Sequence, residues 1–217
     1  MKAIVVADGE PDARDAGQLA HADLIVAADG GARWLGAIGV RPHLLIGDLD
    51  SVDAQLVERL AADGVVVERH PADKEASDAE LALERALASG ADEIVVLGAL
   101  GGDRLDHELA NLLLLADPSR RSRQLRVVRG GTVVRALHGG ARMSLLGAVG
   151  DLVSLLPVGG EAEGVRTNGL RFPLDGESLR LGPSRGLSNV VVDPPASVSL
   201  ERGTLLVVET ASEEERS

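Results

Sequence analysis

The 217-residue chain contains no cysteine. Disulfides, thiolate metal sites and cysteine nucleophiles are therefore excluded. Aromatic residues are almost missing too: Trp34 and Phe172 are the only two, and there is no tyrosine. That removes the stacking platforms on which single-stranded nucleic acid is held. Basic charge is in deficit, with 22 Lys and Arg against 34 Asp and Glu, a formal net charge of −12. A surface of that sign repels nucleic acid and anionic lipid, so neither is an expected partner. Long hydrophobic runs are lacking as well. The N-terminal run 3–7 meets Asp8 too soon for a signal peptide or a membrane span, and a cytoplasmic location is expected.

What remains is an ordinary globular balance, 45% apolar and 26% charged, with enough apolar material for a sizeable core. Over residues 1–122, short apolar runs at 3–7, 24–28, 43–46, 65–68 and 93–97 alternate with helix-like stretches at 13–20, 32–38, 52–62 and 78–89. The alternation predicts an α/β domain around a parallel, doubly wound, Rossmann-like sheet. Its strands should be apolar throughout, because both faces of such a sheet are covered. Ser77-Asp78-Ala79-Glu80 has the spacing of a capping box, and Gly90 supplies a stop. A further helix is expected from Asp106, with Leu109, Leu112 and Leu113 facing inward.

Beyond Ser122 the pattern changes. Short β-like runs at 125–128, 132–137, 142–146, 152–157, 178–181, 190–192, 197–200 and 204–208 are separated by glycine-rich turns. They predict an all-β sandwich domain over 123–217, with an acidic, frayed tail at 212–217.

Four clusters in the first domain fall at the carboxyl ends of expected strands, where open α/β sheets bind ligands. Asp29-Gly30-Gly31 lets backbone N–H groups approach an anion, or forms a tight turn with Asp29 as a cap. Asp48-Leu49-Asp50-Ser51 sets two carboxylates on one face of an extended chain, a pair suited to Mg²⁺, with Ser51 capping the next helix. Asp73-Lys74-Glu75-Ala76-Ser77-Asp78 carries one of only two lysines, Lys2 and Lys74, among the 22 basic residues. An ammonium near a helix start suits a phosphate contact. The fourth cluster, Gly98 to His107, joins the glycines Gly101 and Gly102 to Arg104 and Asp106; it is neither a Walker A loop nor a dinucleotide fingerprint.

Taken in this order, the motifs A-D-G-G at 28–31, G-D-L-D-S at 47–51, D-K-E-A-S-D-A-E-L-A-L at 73–83 and G-A-L-G-G-D-R-L-D-H-E-L-A-N at 98–111 resemble those of the thiamine pyrophosphokinase family. T-N-G-L-R-F-P-L at 167–174, G-L-S-N at 186–189 and G-T-L-L-V at 203–207 extend the resemblance over nearly the whole chain. The resemblance implies transfer of a pyrophosphoryl group from ATP to thiamine, with AMP as the second product. It implies an ATP- and Mg²⁺-binding domain at 1–122, a thiamine-binding domain at 123–217, and a homodimer with sites between subunits. By the same carry-over, Asp48, Asp50 and Asp78 hold Mg²⁺ and, with Lys74, Arg104 and Asp106, form the catalytic set. ATP is met by Asp29, Gly30, Gly31, Ser51, Lys74, Ser77, Gly101, Gly102 and Arg104, and thiamine by Phe172, Ser188 and Asn189.

The chain departs from the family pattern at three points. Glu75 stands for the usual Asp, Asp103 is an extra residue before Arg104, and Phe172 replaces the more usual Trp or Tyr. Two other readings fit parts of the sequence. Asp48-Leu49-Asp50 after an apolar strand also suits a haloacid-dehalogenase-type Mg²⁺ phosphatase, although the later lysine and acidic pair of such enzymes are not recognisable. A non-catalytic nucleotide- or thiamine-binding sensor would keep the fold without the chemistry.

Overall fold

The computed structural model describes residues 1–212, leaving 213–217 of the acidic tail outside the described residues. Ser212 is not frayed: its N–H donates to Asp151 Oδ1 at 2.8 Å. The chain forms two compact units, Met1–Leu114 with Arg123–Gly130, and Leu115–Ser122 with Gly131–Ser217.

The first unit carries six parallel strands: β1 (Lys2–Val6), β2 (Leu24–Ala28), β3 (Leu44–Gly47), β4 (Val66–Arg69), β5 (Glu93–Leu97) and β6 (Gln124–Arg129). Their order is β6-β5-β1-β2-β3-β4. A 3₁₀ segment (Ala13–Leu19) and the helices α1 (Gly31–Ala37), α2 (Ala54–Ala62), α3 (Asp78–Ala88) and α4 (Leu105–Leu115) connect them. In β1, Ala3, Ile4, Val5 and Val6 are wholly buried, and Ile4 pairs with Ile25 on one side and Val95 on the other. Helix α3 buries Ala82, Leu83 and Ala86 and packs on β1, β2 and β3.

Between β1 and β5 the direction of strand succession reverses, which is where an open parallel sheet leaves a crevice at its carboxyl edge. The two strand ends are pressed together there. Gly98, just after β5, has φ +62, and a Cβ on it would run into the Ala7 carbonyl oxygen.

Four sequence expectations are corrected here. The run 125–128, assigned to the second domain, is the core of β6; it pairs in parallel with β5 and so joins the first unit. Strand β4 lies at the sheet edge, where Val66 is 58% exposed, so it is not covered on both sides. Helix α2 is capped by Asp53, whose side chain accepts from the Gln55 N–H, and not by Ser51. In α4, Leu109 and Leu113 face outward, while Leu115 is buried. Consecutive leucines at 112–115 fall on all sides of a helix, so their periodicity selects no inward face.

The second unit is antiparallel. Strands β7 (Thr132–His138), β9 (Leu152–Pro157), β12 (Asn189–Val190) and β14 (Thr204–Thr210) run in the order β12-β9-β14-β7, and β8 (Ala141–Ser144), β10 (Ala162–Asn168), β11 (Asp175–Leu179) and β13 (Ser197–Leu200) in the order β11-β10-β13-β8. Leu155, Leu205 and Val207 from the first set and Val165, Leu179 and Val198 from the second share one buried cluster. Strand β10 has no counterpart among the expected runs. Its residues are mostly polar, and Gly164 sits in a register shift against β11. Strand β11 also lies earlier than the expected run 178–181.

A largely buried charged pair lies in this unit. Glu209 of β14, 4% exposed, meets Arg135 of β7 at 2.5 Å and accepts from the Leu146 and Gly147 N–H groups. Removing one partner of such a pair leaves the other charge and its donors unsatisfied. Glu209→Ala is expected to lower unfolding stability by about 3–5 kcal/mol, read as a fall in the denaturant midpoint. An unchanged midpoint would remove the pair from the interactions that hold this unit.

Candidate active site

At the carboxyl edge of the first unit's sheet opens a cleft of about 660 Å³, walled by the chain just after β1, β2, β3 and β5 and by the starts of α3 and α4. Asp29 ends β2 with its backbone in the left-handed region (φ +44) and is 6% exposed. Asp48 follows β3. Asp78 is the first residue of α3, held there because the capping Ser77 Oγ accepts from the Glu80 N–H at 3.2 Å. One carboxylate oxygen from each of Asp29, Asp48 and Asp78 lies within 4.8 Å of the others.

Gly47 allows this convergence. At φ +150, a Cβ there would lie 2.9 Å from Asp78 Oδ1 and 3.1 Å from Asp29 Cβ. Any larger residue would push the carboxylates apart.

Three close anions need a counter-charge. Lys74 Nζ supplies part of it, 3.3 Å from Asp48 Oδ2 and 3.2 Å from Asp78 Oδ1. Burial works against the ammonium charge, but the two carboxylates outweigh it and hold the lysine pKa above its usual value. The Asp50 N–H and Lys74 hold the Asp48 carboxyl below the usual range. Asp29 is pushed up by burial, with the charges of Asp78 and Asp48 adding to the effect. Asp29 Oδ1 is buried without a hydrogen-bond donor, and Asp78 Oδ1 meets the Lys74 ammonium. An orphaned buried carboxylate oxygen is costly, and an all-oxygen set is what Mg²⁺ prefers, so these three residues fit a divalent cation.

The structure distributes the expected site residues unevenly. Asp48, Asp50, Ser51, Lys74, Ser77, Asp78, Gly101, Gly102 and Arg104 all line the cleft with Asp29, as do Glu75 and the extra Asp103. Asp50 is exposed and stands outside the carboxylate cluster. The extended-chain argument fails because Leu49 is left-handed (φ +65) with its side chain buried, so the pleat is broken between the two aspartates. The Asp50 N–H instead donates to Asp48 Oδ1 at 3.2 Å. Asp106 lies outside the cleft lining and grips Arg104 through two hydrogen bonds of 2.9 and 2.7 Å. Gly30 and Gly31 sit behind the wall; the carboxylate of Asp8 rests on Gly30. Phe172, Ser188 and Asn189 lie near one another in the second unit, joined by hydrogen bonds between Asn189 and the Phe172 backbone.

Sequence reasoning passed over Asp8, Glu108 and Asn111 in the cleft wall. Asp8, paired with Arg33 at 2.7 Å, ends β1 and could have been found by the same strand-end rule that picked out Asp29. Glu108 and Asn111 sit one and two turns into α4, where the outward or inward face was not legible.

A cleft of this kind, with an acidic base and with Lys74 and Arg104 in its lining, on the carboxyl edge of a parallel sheet, suits a phosphorylated ligand and a divalent cation. Residues 17–128 match the family model described as the thiamin pyrophosphokinase catalytic domain, and 144–205 the model of its vitamin B1 binding domain. The chain belongs to the thiamin pyrophosphokinase family. It is 25% identical over 185 residues to the thiamine pyrophosphokinase of Bacillus subtilis, covering 85% of this chain and 86% of that one. Among solved structures, that of the Bacillus subtilis thiamine pyrophosphokinase shares 24% identity at a TM-score of 0.87 over 98% of this chain and 100% of the other. The thiamin pyrophosphokinase of Geobacillus thermodenitrificans shares 26% at 0.84, over 98% and 99%. Against a rice relative named thiamine pyrophosphokinase 1, the match spans 62% of that longer chain.

Because Asp29 and not Asp50 completes the cluster, the two should differ in cation binding. Asp29→Asn is expected to weaken Mn²⁺ binding by tenfold or more, since even outer partners of metal ligands cost about 10- to 100-fold in affinity. Asp50→Asn should stay within a few-fold of the parent. Electron paramagnetic resonance of free Mn²⁺ reads both, and the opposite ranking would return Asp50 to the cation site.

Proposed function

We propose that this chain transfers the pyrophosphoryl group of ATP to the hydroxyl of thiamine, giving thiamine diphosphate and AMP. The observation that carries the proposal is the conjunction of the Asp29–Asp48–Asp78 cluster with Lys74 and Arg104 in one cleft. In this reading the first unit is a doubly wound, Rossmann-like domain for ATP and Mg²⁺. The second is a β-sandwich that takes thiamine, and its two antiparallel strand sets over one apolar cluster support that description. Among the described residues no helix is long and apolar enough to cross a membrane, which suits the expected cytoplasmic enzyme. The resemblance also implies a homodimer, and a row of exposed leucines along α4, Leu105, Leu109 and Leu113, suits burial against a second copy.

The roles follow from the geometry. Asp29, Asp48 and Asp78 would hold Mg²⁺, which when bound supplies charge neutralisation for the phosphate oxygens. Lys74, fixed between Asp48 and Asp78, is a positive point charge that needs no reorganisation when ATP arrives. Arg104 adds a guanidinium at the rim, its orientation set by the fork to Asp106. That contact holds the Asp106 carboxyl far below the usual range, so Asp106 stays ionised and is a poor acceptor for the thiamine hydroxyl proton. Asp50 fits that role better than Asp106: it lines the cleft and, among the described residues, forms no ion pair. Attack at the β-phosphorus then depends on positioning and charge, with no covalent enzyme intermediate. Phe172, 56% exposed, offers a ring face for thiamine.

Product analysis with ATP, Mg²⁺ and thiamine, against omission of each, tests the reaction. Thiamine diphosphate and AMP should appear only in the complete mixture. Phosphate release without thiamine would favour the phosphatase reading, and ligand binding without product the sensor. Phe172→Ala is expected to raise the thiamine KM about tenfold while leaving the ATP KM within twofold, since one stacked ring contributes up to about 1.5 kcal/mol. An equal rise in both would take Phe172 out of the thiamine site.

A further inference from the structure

The exposed ring of Phe172 sits at the end of a loop that is tied down residue by residue. Between β10 and β11 the loop is closed at its base, where the Thr167 N–H donates to the Leu174 carbonyl and the Leu174 N–H to Thr167 Oγ1, both at 2.9 Å. Main-chain bonds then zip it to β12 and the segment after it: the Val192 N–H donates to the Gly169 carbonyl at 2.8 Å and the Arg171 N–H to the Val190 carbonyl at 2.9 Å. The ladder stops at Arg171, one residue short of Phe172. There a side chain takes over.

Asn189 is 8% exposed, and its amide serves both polar groups of the Phe172 backbone. Oδ1 accepts from the Phe172 N–H at 3.0 Å, and Nδ2 donates to the Phe172 carbonyl at 2.7 Å. Oδ1 also accepts from the Val190 N–H at 2.9 Å, so both of its lone pairs are taken. The residue that carries this amide is held in turn, because the Ser188 N–H donates to Ser154 Oγ at 3.1 Å and Ser188 is left-handed at φ +56. On the other side Pro173 restricts the Phe172 backbone to extended conformations.

We infer that Asn189 is a positioning residue for the aromatic platform and not a ligand of thiamine: it fixes the Phe172 backbone so that the ring is presented in one place. This rests on the reading of Phe172 as the surface that receives thiamine. A platform ordered beforehand spares the ligand the entropic cost of ordering it, so the clamp acts on thiamine affinity alone. It also accounts for the pairing of an exposed phenylalanine with a buried asparagine whose amide oxygen is spent on that residue and its own neighbour.

Phe172 is the only phenylalanine in the chain, so biosynthetic 4-fluorophenylalanine places one ¹⁹F label at this position. In the full-length enzyme, thiamine should shift the single resonance; a resonance blind to thiamine would overturn the platform reading, and the clamp with it. Asn189→Ala should displace or broaden the resonance of the free enzyme. It should also raise the thiamine KM about tenfold, the worth of one to two hydrogen bonds, with the ATP KM unchanged. Placed on top of Phe172→Ala, it should add no further rise. Asn189→Asp keeps the acceptor but turns a carboxylate oxygen, in place of the donor, against the Phe172 carbonyl, and should shift both readouts in the same direction if the alanine variant fails to fold. A thiamine-responsive resonance that neither variant alters would overturn the clamp alone, as would effects that add to those of Phe172→Ala, because a direct ligand acts independently of the ring.

Discussion

Repulsion among three carboxylates is the constraint around which the first unit is arranged. Asp29, Asp48 and Asp78 come from the ends of two strands and the start of a helix, and nothing in the local sequence draws them together. They meet because Gly47 leaves no Cβ in the space they share, and because Lys74 reaches between two of them. A folded chain that brings half-buried anions this close stores an electrostatic cost, which a divalent cation would relieve. Binding and relief of that cost are then one event, and the site is built before its ligand arrives.

Leu49 shows the same bias toward preformation. A leucine at φ +65 sits in a region that an L side chain enters at a cost of about 1–2 kcal/mol. Its buried side chain anchors the turn that sends Asp48 inward and leaves Asp50 at the rim. The strain is local, lies between two carboxylates, and separates their surroundings: one is locked against Lys74, the other is open to solvent.

This turn also marks where sequence reasoning stopped. Strands β2, β5, β9 and β13 were legible to the residue, because short apolar or alternating runs between turn residues have little else to become. The strand-end clusters were legible for the same reason, since parallel topology dictates where loops gather. A left-handed leucine has no sequence signal, so Asp48 was grouped with its neighbour Asp50, whereas the carboxylate that lies close to it across the strands is Asp29, nineteen residues earlier. Strand β6 was misassigned because a β-run looks the same whether it pairs in parallel with β5 or opens a new domain. Strand β10 was invisible, as polar residues broken by Gly164 carry no alternation. Helix α4 was found, but its leucine-rich composition concealed which side faces out.

The use of basic residues follows from the same electrostatics. Of 22 basic residues only two are lysines, so at nearly every position the chain accepts a guanidinium. Arg104 shows what a guanidinium does well: it grips a single carboxylate, Asp106, through a planar fork. Position 74 asks for something else. Its cation lies within 3.3 Å of two carboxylates on different elements. A fork there would commit to one of them and turn its edge to the other. A compact ammonium with three rotatable donors can face both and keep a donor for an incoming phosphate. Lysine at 74 is thus the cation that balances the cluster without filling it, which leaves room for a metal ion to share the same oxygens.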